Sequence, residues 1–157
     1  MSMLEDKKAF VTGGGSGIGL ACAKAFASDG ASVLIMGRDE TKLSVAADEL
    51  RLIKRAGEIR IFVGDVRVES DVSAAAEQAA AGGKLDIAVA NAGTGGLGPI
   101  IATESESWDQ IMQTNLNGTF YTIKHSSQWM AKSGGGRSVR FHRLQGFGPI
   151  DLWGPTV

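Results

Sequence analysis

Cysteine is nearly missing from this chain: Cys22 is the only one in 157 residues. That excludes an intrachain disulfide and a cysteine metal cluster, and leaves Cys22 to be read as a small buried hydrophobe on a helix face. Tyrosine is as scarce, with Tyr121 alone. No apolar run reaches the length of a membrane span, and the first residues, MSMLEDKK, lack the apolar core of a signal peptide. Neither sign of charge is in excess, since 16 Lys and Arg face 17 Asp and Glu for a formal net charge of −1. Nucleic acid and membrane surfaces are therefore not expected as partners. His125 has no cysteine, carboxylate or second histidine at ligand spacing, so no metal is expected. The expectation is a reduced, cytoplasmic protein, long enough for one domain with its own core.

Glycine, by contrast, is plentiful at 22 residues. Gly13, Gly14, Gly15, Gly17 and Gly19 crowd one turn, directly after a short apolar stretch, Lys8–Thr12, that reads as a buried strand. Ile18, Cys22 and Phe26 follow at helical spacing with Ala21 and Ala25 beside them, so a helix begins inside the glycine run. Strand, glycine turn and helix make a site for a phosphate. Without Cβ atoms the backbone comes close to an anion, and the first N–H groups of the helix have no internal partner. The spacing is T-G-x-x-x-G-x-G rather than the G-x-G-x-x-G dinucleotide fingerprint. No Gly-Lys-Ser/Thr follows, which excludes a Walker A loop.

The rest of the chain repeats the alternation. Gly30 stops the first helix and Ala31–Met36 reads as a second buried strand. A helix over about residues 41–55 presents Leu43, Ala46, Ala47, Leu50 and Ile53 on one face, and Gly57 ends it. Arg60–Val63 is a third strand, closed by Gly64-Asp65-Val66. Val68–Ala81 is a weakly apolar helix, and Leu85–Ala90 a fourth strand ending in Asn91-Ala92-Gly93. A glycine-rich loop leads to a long helix over about residues 107–130, with Trp108, Ile111, Met112, Leu116, Phe120, Ile123 and Trp129 as its expected buried side. Such alternation predicts an α/β fold with a doubly wound parallel sheet, Rossmann-like, in strand order 3-2-1-4. Ligands of such sheets lie beyond the carboxyl ends of the strands, where the order reverses. Every glycine- or asparagine-rich turn named here falls at such an end.

Four segments taken together, Thr12–Gly19, Asp65-Val66, Asn91-Ala92-Gly93 and Asn115-Leu116-Asn117-Gly118, resemble the amino-terminal part of the short-chain dehydrogenase/reductase family over about residues 5–135. The resemblance implies a nicotinamide dinucleotide as cofactor. It implies that Gly13, Ser16, Gly17, Ile18 and Gly19 hold the pyrophosphate and adenosine ribose, and that Asp65 and Val66 border the adenine. Asn91, Ala92 and Gly93 would lie nearer the nicotinamide, and Asn115 would support a proton relay. Members that use NAD place an acid where this chain has Gly37. Arg38 beside it can fork onto a 2′-phosphate and stack on adenine, so NADP is expected ahead of NAD, although Asp39 could pair with Arg38 or meet a ribose itself. In this family the long helix packs against its copy in a partner subunit, which implies a homo-oligomer through residues 107–130.

Past Gly136 the family pattern breaks. It calls for a buried fifth strand ending in a catalytic serine, then a tyrosine and, four residues on, a lysine. Arg137–Leu144 instead carries three arginines and a histidine, and Tyr121 lies on the wrong helix. A dinucleotide-binding unit over 1–136 with the sheet incomplete after strand 4, and an aberrant tail over 137–157, poorly ordered or misplaced, are expected. A shifted reading frame across Val139–Leu144 would account for the break. The expected function is that of an NAD(P)-dependent oxidoreductase moving hydride between nicotinamide and a carbonyl or alcohol small-molecule substrate, of which this chain keeps at most cofactor binding. The alternative is a non-catalytic nucleotide-binding or dimerising fragment.

Overall fold

The computed structural model describes residues 3–81, 83–95, 100–132 and 134–140. Five parallel strands run in the order β3-β2-β1-β4-β5: β1 (Lys8–Thr12), β2 (Ser32–Gly37), β3 (Ile59–Val63), β4 (Ile87–Ala90) and β5 (Arg137–Arg140). Between them come α1 (Gly17–Ser28), α2 (Glu40–Arg51), α3 (Glu69–Ala80), α4 (Ser105–Met112) and α5 (Gly118–Lys132). A π turn over Gln113–Asn117 joins α4 to α5.

The strands are apolar on both faces because both faces are covered. Ala9, Val11, Val33 and Ile35 point to one side, into a core closed by Ala23 and Ala27 of α1 and Leu43, Ala47 and Leu50 of α2. Phe10, Leu34, Met36 and Ala88 point to the other, against Val72, Ala75 and Ala76 of α3 and Met130 of α5. α3 is further tied to α5 through Glu69 Oε1, which accepts from Lys124 Nζ at 2.7 Å and lies 3.0 Å from His125 Nε2. Among the described residues no helix is long and apolar enough to cross a membrane.

The doubly wound parallel sheet and the order 3-2-1-4 are as the sequence predicts. The sheet does not end at strand 4, however: Arg137–Arg140 pairs in parallel with Ile87–Ala90, across the expected boundary at residue 136. Pairing rests on backbone groups, and a marginal strand does not need the all-apolar composition of an interior one. The rest of the expected tail, residues 141–157, lies outside the described residues.

Two helix faces also differ from expectation. On α1 the buried side is Gly19, Ala23 and Ala27, while Ile18 is 51% exposed and Cys22 only half-buried. The helix starts so close to the sheet that a Cβ on Gly19 would stand 2.3 Å from the Gly13 carbonyl oxygen. Only small residues fit such an approach, and Leu20 and Phe26 pack at its flanks. On α5 the buried side is Gly118, Thr119, Thr122, Ser126 and Met130, whereas Trp108, Leu116 and Phe120 are about half-exposed. The two threonines can be buried because their hydroxyls donate to carbonyls one turn back, Thr119 to Asn115 and Thr122 to Gly118, both at 2.7 Å.

Candidate functional site

The carboxyl ends of β1, β2, β3 and β4 open on one crevice. Its phosphate end is built by the glycine turn. Gly13 and Gly17 hold φ values of +66° and +53°, which side chains other than glycine rarely adopt. Gly13 donates to the Met36 carbonyl at 2.8 Å, so the turn is fastened to β2 as well as to β1. Ser16 is the N-cap of α1 in extended conformation, with no side-chain cap and no acidic residue in the first turn. A Cβ at Gly17 would meet nothing within 4 Å, so the turn faces open space there. An uncapped, acid-free helix start behind an open glycine bend suits a diphosphate.

Beside it lies a cavity of about 180 Å³, walled on one side by Gly37, Arg38, Gly64, Asp65 and Val66 and on the other by Gly13, Ala92, Gly93, Thr94 and Thr114. Arg38 is exposed and, among the described residues, has no hydrogen bond or ion pair. Asp39 does not pair with it. Its Oδ1 caps α2 by accepting from Lys42 N–H at 3.0 Å, and Oδ2 sits 3.6 Å from Lys42 Nζ. The Lys42 backbone hydrogen bond is the main reason the Asp39 carboxyl is held below its ordinary value. Asp65 is bonded by Arg67, and those side-chain hydrogen bonds keep its carboxyl well charged against the opposing effect of burial.

The other side of the crevice is neutral and braced. Thr12, 1% exposed, donates from Oγ1 to the Val89 carbonyl at 3.2 Å and accepts there from the N–H groups of Asn91 and Ala92. Asn91 Nδ2 donates to the carbonyls of Thr12 and Gly13 at 3.1 and 3.2 Å. Asn91 therefore ties the ends of β1 and β4 together from behind the crevice. Asn115, in the π turn, holds Thr94 with both ends of its amide: Oδ1 accepts from Thr94 N–H and Nδ2 donates to Thr94 C=O, each at 2.8 Å.

Of the residues expected from sequence, Gly13, Arg38, Asp65, Val66, Ala92 and Gly93 line one cavity. Ser16, Gly17, Ile18 and Gly19 form the start of α1, where the glycine turn opens. Asn91 and Asn115 stand behind the wall. Thr12 enters the sequence reading only as the head of the glycine motif, with no role of its own, and Arg67, Thr94 and Thr114 do not enter it. Arg67, two residues past Asp65, is a signal the sequence offered, whereas Thr94 and Thr114 meet only through the fold. Tyr121 packs on the α3–α5 side of the core and tilts against Phe120.

Comparison with known proteins agrees with this geometry. A family model described as short chain dehydrogenase matches residues 7–154, further than the 5–135 over which motifs are recognisable. Oxidoreductase asL5 of Sarocladium schorii is 40% identical over 137 residues, 87% of this chain and 53% of that protein. The solved structure of a short-chain type dehydrogenase/reductase from Mycobacterium ulcerans superposes with a TM-score of 0.84 at 38% identity, covering 87% of this chain and 51% of that one. NAD+-bound xylitol dehydrogenase superposes with a TM-score of 0.82 at 28% identity, covering 88% and 53%. The chain thus spans about half the length of the relatives it matches. It belongs to the short-chain dehydrogenase family, whose members use nicotinamide dinucleotides.

Proposed function

We propose that this chain binds NADP(H) in the crevice between the glycine turn and the Asp65 and Asn91 turns, as the cofactor-binding part of a hydride-transferring oxidoreductase acting on a carbonyl or alcohol. Gly13, Ser16, Gly17, Ile18 and Gly19 would hold the diphosphate at the start of α1. Asp65 and Val66 would border the adenine, and Ala92, Gly93 and Thr94 the nicotinamide side. Bound, the dinucleotide supplies a hydride acceptor or donor that the protein itself lacks.

The observation that carries the reading is Arg38. Its neighbour Asp39 is consumed as the cap of α2, and Gly37 offers no side chain to ribose hydroxyls. A guanidinium that has no hydrogen bond or ion pair among the described residues, and only a longer-range attraction to Asp65, is left on the adenosine wall, suited to a 2′-phosphate. Fluorescence titration should show NADPH binding more tightly than NADH; equal affinity, or an NADH preference, would contradict this.

Turnover is not expected of these residues alone. The acid/base tyrosine that the family uses has no counterpart here, since Tyr121 is the only tyrosine and is followed four positions on by His125. Reduction of any member of a carbonyl panel by this chain and NADPH would overturn that part.

A dimerising role is favoured by one further observation. Trp108, Leu116 and Phe120 recur along the outer face of α4, the π turn and α5, each at least half-exposed. Sedimentation should find a dimer that Phe120→Glu separates.

A further inference from the structure

β3 stands at the end of the sheet, and among the described residues no strand pairs with its outer side. Its sequence, Ile-Arg-Ile-Phe-Val, is apolar but for Arg60 and free of proline. Ile61 packs into the core on one face and Phe62 on the other, while Val63 is 46% exposed. The register against β2 decides which backbone groups face outward. Val33 N–H donates to the Glu58 carbonyl and Gly64 N–H to the Gly37 carbonyl, both at 2.9 Å, around the pairs Val33↔Ile59, Ile35↔Ile61 and Gly37↔Val63. In a parallel ladder of that phase Arg60 and Phe62 turn their N–H and C=O to β2, and Ile59, Ile61 and Val63 turn theirs away. One outward group is covered by the end of α2. The Ile59 carbonyl accepts from Arg51 Nη2 at 3.3 Å, and Asp48 Oδ1 holds that guanidinium through Nη1 at 2.9 Å.

An open apolar edge is a template for another strand. We propose that β3 pairs antiparallel with β3 of a second copy of this chain, about a twofold axis at Ile61, and that Arg51 limits the pairing by covering the Ile59 carbonyl. About that axis Ile61 meets Ile61 and Ile59 meets Val63, so the outward groups of each strand exchange hydrogen bonds with those of the other. Arg60 falls opposite Phe62 on the same face, a cation against a ring rather than against its own copy. Glu58 Oε2, 3.5 Å from Arg60 Nε, offsets the charge that the two arginines bring near the axis.

The strand is thus complementary to itself, and nothing at long range opposes the approach of a copy. With 16 basic against 17 acidic residues the net charge is −1, low enough for molecules to associate. A pair of five-residue strands buries little surface, so this contact is weak and forms at higher concentration than one through the α4–α5 face. It needs no ligand and stands apart from the nucleotide reading.

The test is amide hydrogen exchange of the full chain, followed by NMR over roughly a hundredfold range of protein concentration. It is run on wild type and on Phe120→Glu, which removes association through the helix face. In both, the Ile61 and Val63 amides should slow by at least about fivefold at the high end, while Arg60 and Phe62, already bonded within the sheet, stay unchanged. Arg51→Ala should bring the slowing in at about fivefold lower concentration. Val63→Lys, which sets a cation opposite Ile59 and its Arg51, should abolish it. Ile61 and Val63 amides that exchange at one rate throughout, in wild type and Arg51→Ala alike, would overturn the proposal. So would slowing spread equally over Arg60 and Phe62, which reports general stabilisation rather than an edge being covered.

Discussion

The two walls of the crevice are held in opposite ways. The wall beyond β1 and β4 is neutral and cross-braced: Thr12, Asn91 and Asn115 commit their side chains to backbone groups. The wall beyond β2 and β3 is charged and loosely committed, with Arg38 making no hydrogen bond or ion pair among the described residues and the Asp65 carboxylate hydrogen-bonded by Arg67 of its own loop and attracted by Arg38. The first wall sets geometry and the second reads the ligand. Substitutions on the braced side should therefore be felt as stability, and those on the charged side as affinity.

The sharpest break comes at Gly19. An added Cβ would stand 2.3 Å from the Gly13 oxygen and 2.5 Å from Asn91 Nδ2, both parts of the brace. Gly19→Ala should cost about 3 kcal/mol by urea unfolding and abolish dinucleotide binding with it. A stable, binding-competent variant would show that the turn has room the structure denies it. Thr12→Val comes next. It leaves the N–H groups of Asn91 and Ala92 without their acceptor and should lower stability by about 2 kcal/mol, with nucleotide preference unchanged among molecules still folded.

On the charged wall the expected signs reverse. Arg38→Ala should leave the urea midpoint in place while weakening NADPH about tenfold and NADH hardly at all. An equal loss for both would remove the assignment of Arg38 to the extra phosphate. The smallest effect concerns acid. Arg67 lowers the Asp65 carboxyl below its ordinary 3.8 in the folded chain. The resulting stabilisation is complete above that ordinary value and disappears as pH falls through the lowered one. Asp65→Asn should accordingly lower the unfolding midpoint modestly at neutrality, with the difference from wild type shrinking as pH falls below about 4, so that the acid limb flattens. An unaltered acid limb would place the titrating group elsewhere.

These contrasts also explain how much was legible beforehand. Parallel β-α-β units bring strand ends to one edge, so motifs at Gly13, Asp65 and Asn91 that lie far apart in sequence meet in the crevice without any contact being foreseen. Helix faces were harder. A search for large apolar side chains favours Ile18 and Cys22 on α1, Leu116 in the π turn and Phe120 on α5, but close packing favours Gly19, Ala23, Gly118 and Thr122, whose small size lets the helices approach the sheet and the Val66 turn. The π turn at Gln113–Asn117 has no signal in hydrophobic periodicity, yet it is what presents Asn115 to Thr94. At β5 the charge of Arg137 and Arg140 argued against a strand that backbone pairing with Ile87–Ala90 nevertheless forms. The role of Asp39 was decided by a single hydrogen bond to Lys42, which no composition reveals.

The central claim, that the charged wall reads a 2′-phosphorylated adenosine, is tested most directly with fragments that carry only that half of the cofactor. Calorimetric titration of the chain with adenosine 2′,5′-bisphosphate and with adenosine 5′-monophosphate should give about tenfold tighter binding for the bisphosphate, a margin that Arg38→Ala erases. Equal affinities in wild type, or a margin that survives the loss of Arg38, would contradict the account.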